Sequence, residues 1–553
     1  MKVLLVGINT RYIHKNLAID TLFNYSQGKY NHELRRLESS IHEPIDKLFQ
    51  KIVEVKSQVI CFSTYIWNKE IILKLAESIK RILPNTAIVL GGPEISKDYL
   101  SYEYIDHLLV GEGELIFDEF LKNNCTGLQL IENKDIYIDL DKLPFPYELD
   151  CLEHKIVYYE GSRGCPFKCS YCLSGEDNVL RLKSPKHIKE EIKALLDAGV
   201  NQVKFVDRTF NAHPKWALEV AKTLLQFADY KCNFHFEVSI DKVSSELIDF
   251  FQLAPVGLFQ LEVGIQSTNY KTLEAVGRLN NFNKIKEHCK DLIKEGNIHV
   301  HTDIIAGLPL EDLQSFQQSF NNVYQIYGHI FQVGFLKVIP NTRLKREGDK
   351  WGIVYRSYPP YEVLETADLS VSDLFKIKYV EEGVDVFYNT AYFRQTFLYL
   401  KNKIDNFFIF FEKLGELYFH REDQLGIEEK FEFLMKFIKN NCANIDTHEL
   451  LSIMTIDWHL NHRHKKEPLF LLDAQLQMKP LLAYKDEIQK YGISKDRLKW
   501  LKIIKLPFEY VIIGTDGVIG RKENTFYLLD YEKKQTIYGY PEMNLIEEKL
   551  LVE

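Results

Sequence analysis

Over residues 1 to about 120, short apolar runs alternate with stretches in which apolar residues recur every three or four positions. VLLVGI, VICFS, AIVLGG and HLLVGE read as strands, being short, rich in β-branched residues and bounded by glycine or polar turn residues. LFQKIVEVK and ILKLAESIKRIL carry an apolar stripe at helical spacing. This alternation predicts an α/β fold: a doubly wound, Rossmann-like parallel sheet with helices on both faces, which takes ligands at the carboxyl ends of its strands.

Residues 136–150, IYIDLDKLPFPYELD, hold two prolines among acidic residues and predict a linker. From Lys155 to about Arg346 the alternation resumes with IVYYEG, QVKFVD, FHFEVS, LFQLEVGIQ, HVHTDIIAG and FQVGFLKVI, each joined to the next by a helical or loop stretch. Six such units predict a partial (β/α)6 barrel with its active site on the loops that follow the strands. Beyond Trp351 come long aromatic-rich helices (FFIFFEKLGELYF, EFLMKFIK, LLSIMTIDWHL), then the strand-like runs EYVIIG and TFYLLDY. The expected division is a first domain over 1–135, a linker over 136–154, a barrel over 155–350 and a mainly helical domain with a small β element over 351–553.

At 553 residues the chain is too long for a single core, in agreement with that division. Its 46% hydrophobic and 27% charged content is that of ordinary soluble proteins. No apolar run approaches the roughly 20 residues that span a bilayer. The amino-terminal run in MKVLLVGINTRY is short and lacks a small-residue cleavage site, so it reads as a first strand, and a cytoplasmic protein without a membrane partner is expected. A net charge of −9 offers no global basic field for nucleic acid and leaves room only for a local patch. One basic segment, WHLNHRHKKEP at 458–468, reads as a solvated helix end with cations near its carboxyl terminus. The competing reading faces it toward the phosphates of RNA or a nucleotide.

Nine cysteines, an odd number in a large chain, argue against a disulfide framework. Three of them fall within eight positions of EGSRGCPFKCSYCL, residues 160–173, on the loop after the first barrel strand. Sulfurs spaced C-x3-C-x2-C can hold three irons of a cubane and leave the fourth open to a substrate or cofactor. A structural zinc site wants four ligands, and no further Cys or His follows Cys172 at a short regular spacing.

GCPFKCSYC resembles the cluster-binding loop of the radical S-adenosylmethionine (SAM) superfamily. The resemblance implies a [4Fe-4S] cluster on Cys165, Cys169 and Cys172, packed by Phe167 and Tyr171. Its open iron would chelate SAM, which an electron from a donor such as flavodoxin or ferredoxin would cleave to a 5′-deoxyadenosyl radical. KFVDRTFN, with Asp207, is similar to the second-strand segment whose backbone receives the SAM amino group. FHFEVSID puts Glu237 where the family offers a carboxylate to the ribose hydroxyls, a suitable acceptor for both. GIQS, Arg278 and TDIIAGLP resemble the branch of oxygen-independent coproporphyrinogen oxidase and the methylthiotransferases, which implies SAM contacts by Gln266, Arg278 and Asp303.

The first 120 residues resemble a cobalamin (B12)-binding domain of the kind fused to such barrels. Ser63 in STYIWN matches the serine of its S-x-L element, Gly91 and Gly92 its Gly-Gly pair, and VGEGE, with Glu112, is typical of the fused architecture. The family's D-x-H-x-x-G loop departs here, with Tyr12 in place of the Asp and Leu17 in place of the Gly around His14. Without the carboxylate that orients a ligating histidine, cobalamin is expected base-off, without a His14 ligand.

Together the resemblances imply methylation of an unactivated carbon through the 5′-deoxyadenosyl radical and methylcobalamin. The substrate class (small molecule, peptide, lipid or RNA) and the catalytic residues stay unassigned. Oxidative cyclisation or rearrangement on the same fold is a second reading. A third is a methylthiotransferase acting on RNA, which needs three more cysteines in a first domain that holds only Cys61 and Cys125. A non-catalytic corrinoid sensor leaves the cysteine loop unexplained. The last 200 or so residues resemble an uncharacterised accessory domain, expected to recognise substrate.

Overall fold

The computed structural model describes residues 1–553 apart from 128, 134–136, 151, 153–154, 177–178, 464, 466, 472–499, 507–508, 514–515, 521–524, 535–536 and 547–553. Both ends of the expected linker therefore lie partly outside the described residues. The chain divides into two compact units. One is formed by Met1–Ser239, Glu274–Arg278 and Leu336–Ala367, the other by Ile240–Leu273, Leu279–Phe335 and Asp368–Glu553.

The first unit opens on β1 (Lys2–Asn9), α1 (Leu17–Ser26), β2 (Glu33–Ser40), α2 (Ile45–Glu54), β3 (Val59–Ser63), α3 (Lys69–Ile82), β4 (Ala87–Gly91), β5 (His107–Gly111), α4 (Gly113–Lys122) and β6 (Leu130–Asn133). The strands pair in parallel in the order β2-β1-β3-β4-β5-β6. Alternate side chains of the central strands enter two separate cores. Leu4, Val6, Ile60 and Phe62 pack under α2 and α3, whereas Val3, Leu5, Val59 and Cys61 pack under α1 and α4. A strand buried on both faces reads as a continuous apolar run, which is why these four were legible. The edge strand β2, ELRRLESS, and helix α1 were not anticipated. β2 is polar and mostly half-exposed, and the stripe of α1 is broken by the buried Asp20, which pairs with Arg36 and Lys15.

The barrel strands follow: β7 (Ile156–Tyr159), the two-residue ladder of β8 (Ser162–Arg163) and β9 (Arg181–Leu182), α5 (Pro185–Asp197), β10 (Gln202–Phe205), α6 (Pro214–Leu225) and β11 (Asn233–Val238). Helices α5 and α6 both carry proline in the first turn, capped by Ser184 and His213.

The second unit continues with α7 (Ser245–Gln252), β12 (Phe259–Gln266), α8 (Tyr270–Ala275), α9 (Phe282–Lys294), β13 (His299–Ala306), α10 (Leu313–Tyr324) and β14 (Ile330–Phe335). All six expected strands form: β7, β10 and β11 pair in parallel in the first unit, and β12, β13 and β14 in the second. Burial alternates strictly along β12 and β13: Leu261, Val263, Val300 and Ile304 are buried, while Glu262, Gly264, Gln266, His301 and Asp303 share the other, partly open face.

After α11 (Arg343–Glu347), β15 (Val354–Tyr355) and β16 (Val363–Glu365), which belong to the first unit, the chain becomes helical: α12 (Val371–Gly383), α13 (Arg394–Leu400), α14 (Phe407–Phe419), α15 (Ile427–Asn441) and α16 (Thr447–Asn461). Strands β17 (Leu501–Leu506), β18 (Glu509–Ile513), β19 (Asp516–Gly520), β20 (Thr525–Lys534) and β21 (Pro541–Ile546) form two small antiparallel sheets. Aromatic side chains fill this core; Phe397, Phe407 and Phe411 are all essentially inaccessible. Segment 458–468 needs correcting. Trp458 and His459 are fully buried at the end of α16, His459 lies against Glu467, and His462 packs on the Trp458 ring. The helix end is held by the core rather than solvated, and positions 464 and 466 lie outside the described residues. Among the described residues no helix is long and apolar enough to cross a membrane.

Candidate functional site

The cysteine loop is built by its neighbours. Gly164, at φ +84°, turns the chain into it, and a Cβ there would stand 2.2 Å from the Val179 carbonyl oxygen. The Ser170 N–H donates to the Val276 carbonyl at 2.8 Å, and the Ser170 carbonyl accepts from the Leu344 N–H at 2.8 Å, so the loop is pinned from both sides. Cys165 and Cys169 are buried and Cys172 is partly exposed. Burial pushes the Cys169 thiol up, as do the nearby Cys172 and Cys165 sulfurs, with Arg278 and the Tyr171 hydroxyl opposing. The three sulfurs thus sense one another. Three thiols on one loop fit a cubane cluster, which asks each thiolate for its own iron. The Arg278 guanidinium lies over the Phe167 ring at 5.0 Å, and the Thr209 hydroxyl is 3.6 Å from the Cys165 sulfur. Thr209 was not anticipated from sequence.

Asp207 is fully buried, and burial pushes its carboxyl up to about 7. Its Oδ2 accepts from the Gly161 N–H at 2.9 Å. The side chain thereby supports the turn that opens the cysteine loop.

A cavity of about 840 Å³ lies within the first unit. Parallel register sets Ser63 beside Gly91 at the carboxyl edge of β3 and β4. Both line the cavity, as do Gly92, Glu112, Glu237 of β11 and Lys204 of β10. Its volume is that of a ligand site, and its position at strand carboxyl ends is where doubly wound sheets take ligands. Between β1 and α1, Asn16 caps α1 and donates to the Asn9 side chain, which in turn donates to the His14 carbonyl. His14 also borders the cavity, with its Nδ1 hydrogen-bonded to the Tyr158 hydroxyl. Burial, then Arg11 and Lys204, lower its pKa, which keeps the ring neutral.

Glu112 is less available than sequence suggested, because Arg163 and Arg181 both pair with it. Arg163 also binds Glu114 and Glu160 and is largely buried. This network ties the GEGE turn before α4 to the EGSRG turn before Cys165. The acidic pair in VGEGE followed by an arginine beside the cysteines was the only signal for it.

In the second unit, Asp303 of β13 stands opposite Gly264 of β12 and Gln332 of β14. Gln266 ends β12 after a register shift, at φ +71°, and its side-chain oxygen is buried without a hydrogen-bond partner.

Three family models match the chain: a B12 binding domain over residues 3–121, the Radical SAM superfamily over 159–323 and a protein of unknown function (DUF4080) over 349–505. The cobalamin-dependent radical SAM methyltransferase TokK of Streptomyces tokunonensis is 26% identical over 353 residues, 55% of this chain and 50% of TokK. The 2-(S-pantetheinyl)-carbapenam-3-carboxylate methyltransferase of Streptantibioticus cattleyicolor is 24% identical over 439 residues, 66% of this chain and 62% of that one. The chain thus spans between half and two thirds of these curated relatives. Among solved structures, the cobalamin-dependent SAM radical enzyme OxsB, with aqua-cobalamin and SAM bound, superposes with a TM-score of 0.56 at 15% identity, covering 90% of this chain and 82% of OxsB. That likeness establishes the shared fold. A B12 binding domain, a Radical SAM domain and a DUF4080 region thus follow one another along this one chain.

Proposed function

We propose that this chain is a cobalamin-dependent radical SAM methyltransferase that methylates an unactivated carbon. One observation carries the reading. Within the first unit a single cavity is lined both by the strand-end residues of the B12-binding sheet, Ser63, Gly91 and Gly92, and by barrel residues Lys204 and Glu237. The similarity to TokK and to the carbapenam methyltransferase supports the choice of methyl transfer. When bound, the cluster and SAM supply a 5′-deoxyadenosyl radical and cobalamin supplies a transferable methyl group.

Cys165, Cys169 and Cys172 hold the cluster in this proposal, and Phe167 and Tyr171 screen it from water. Glu237 accepts from the ribose hydroxyls of SAM, and the backbone at Asp207 receives its amino group. Gln266, Arg278 and Asp303 are assigned to SAM from the family resemblance. Ser63, Gly91, Gly92 and Glu112 face the corrinoid. Cobalamin would be held base-off without a His14 ligand, because Tyr12 stands where the family's loop has the carboxylate that orients a ligating histidine. Domain bounds of 1–135, 155–350 and 351–553, with a linker over 136–154, are kept, and a flavodoxin- or ferredoxin-like donor in the cytoplasm supplies the electron. The carboxyl-terminal domain selects the substrate.

The test uses anaerobically reconstituted protein, cobalamin, reductant and SAM labelled in its methyl group. Label on cobalamin with formation of S-adenosylhomocysteine is expected before any substrate is added, and 5′-deoxyadenosine together with labelled product afterwards. Turnover to 5′-deoxyadenosine with no label transferred would assign cyclisation or rearrangement instead.

A further inference from the structure

Gln266 sits on an unusual backbone. The Ser267 N–H donates to the Ile265 carbonyl at 2.9 Å, a three-residue turn centred on Gln266 at φ +71°. This is the strained hand of the γ-turn, which a non-glycine residue keeps only when its surroundings impose it. The surroundings are a buried polar knot. The Ser267 hydroxyl donates to Glu311 Oε1 at 2.5 Å, and the Ser319 hydroxyl donates to the same oxygen at 3.1 Å. The Thr268 N–H donates to the Ser319 hydroxyl at 3.0 Å, and the Asn269 N–H to the Ser267 hydroxyl at 2.9 Å. Glu311, Ser267 and Ser319 are each at most 1% exposed. Nothing in apolar packing requires a carboxyl group there. What it fixes is the residue after Gln266, while the Gln266 amide oxygen stays buried and unpartnered, as a group kept for a ligand does.

We propose that Glu311 is a positioning residue for SAM: through Ser267 and Ser319 it imposes the strained turn that aims the Gln266 side chain. The inference rests on the reading of Gln266 as a SAM contact and adds a residue to it. Gln266 supplies the contact, and Glu311 touches no ligand. The knot holds with a neutral carboxyl group, because Oε1 does the accepting and Oε2 has no partner. Glutamine can therefore replace Glu311 and alanine cannot.

The experiment measures SAM binding by equilibrium dialysis to the cluster-loaded full chain and to its Gln266→Ala, Glu311→Ala, Glu311→Gln and Ser267→Ala variants and the Gln266→Ala/Glu311→Ala double variant. Gln266→Ala and Glu311→Ala should each weaken binding about tenfold, and the double variant no further than either. Glu311→Gln should bind as wild type. Ser267→Ala, a smaller change that keeps the carboxyl group, should fall with Glu311→Ala and stands in for it if that variant does not fold. Losses that add in the double variant, or wild-type affinity in Glu311→Ala, overturn the inference while leaving the SAM reading intact. A wild-type chain with no affinity for SAM overturns both.

Discussion

His14 Nδ1 and the Tyr158 hydroxyl are 3.0 Å apart, and the two rings stack with centroids at 5.6 Å. The tyrosine commits one ring nitrogen, and Tyr12 stands where the resembled loop has the carboxylate that orients a ligating histidine. His14→Ala should therefore leave the absorbance spectrum of bound hydroxocobalamin unchanged. A shift of that spectrum on mutation would show that His14 ligates cobalt.

The proposed cluster ligands are three sulfurs. Replacing any one of Cys165, Cys169 or Cys172 by Ala should abolish the [4Fe-4S] absorbance and the acid-labile sulfide. Cys61, Cys125, Cys232 and Cys289 are buried elsewhere and their thiols are pushed up by burial, Cys289 to about 12, so their replacement by Ser should leave iron content intact. Full iron in the triple Ala variant would sink the assignment, and a second cluster surviving there would restore the methylthiotransferase reading.

The two glycines at the end of β4 should behave differently. A Cβ on Gly92, at φ +110°, would stand 2.5 Å from the Thr64 carbonyl oxygen, so any side chain there strains the turn itself. A Cβ on Gly91 meets nothing closer than 3.7 Å. Gly91→Leu should fold normally and lose cobalamin on gel filtration, whereas Gly92→Leu should also lower the thermal midpoint. Tight corrinoid binding by Gly91→Leu would remove this turn from the site.

Charge-assisted contacts to SAM should show as affinity without loss of the cluster. Glu237→Ala, Arg278→Ala and Asp303→Ala should each cost about 1.5 to 3 kcal/mol, or roughly ten- to a hundredfold. Arg278→Lys keeps the charge but gives up the guanidinium that lies over the Phe167 ring, so it should recover only part of the loss. Wild-type affinity in all three alanine variants would refute the assignment of these loops.

Asp457 provides a stability test apart from the cofactors. Its carboxylate accepts from the Gln395 and Thr396 N–H groups and the Thr396 hydroxyl, yet burial outweighs these donors and pushes the group up to about 7. An unfolded aspartate titrates near about 3.9. Between those values the native chain holds a proton that the unfolded chain has released, so this group makes stability fall as pH rises from about 4 to about 7 and level off above. Asp457→Asn should be less stable near pH 4, by about 1 to 3 kcal/mol from one acceptor lost, a deficit that shrinks as pH rises, and should show a flatter pH dependence of the urea midpoint. An unchanged slope would mean the carboxylate is ionised throughout.

What the sequence determined by itself was whatever local pattern and covalent spacing dictate. The four central strands of the first sheet were legible because burial on both faces demands unbroken apolar runs, and the barrel strands because each alternates or clusters its apolar residues before a glycine or polar turn. The C-x3-C-x2-C spacing is a property of the chain, as are the departures at Tyr12 and Leu17. Tertiary structure decided what depends on partners distant in sequence. The edge strand β2 forms because β1 supplies its hydrogen bonds, and α1 tolerates the buried Asp20 because Arg36 and Lys15 come to meet it. The WHLNHRHKKEP segment reads as a charged surface, yet Trp458 and His459 are buried because the aromatic core closes over the end of α16. Arg163 against Glu114, His14 against Tyr158 and Glu311 against Ser267 beneath the Gln266 turn are pairings across 44 to 144 positions, with Arg163 and Glu114 49 apart. No sequence window contains them, because the energy that selects them exists only once burial has removed water from both members of each pair.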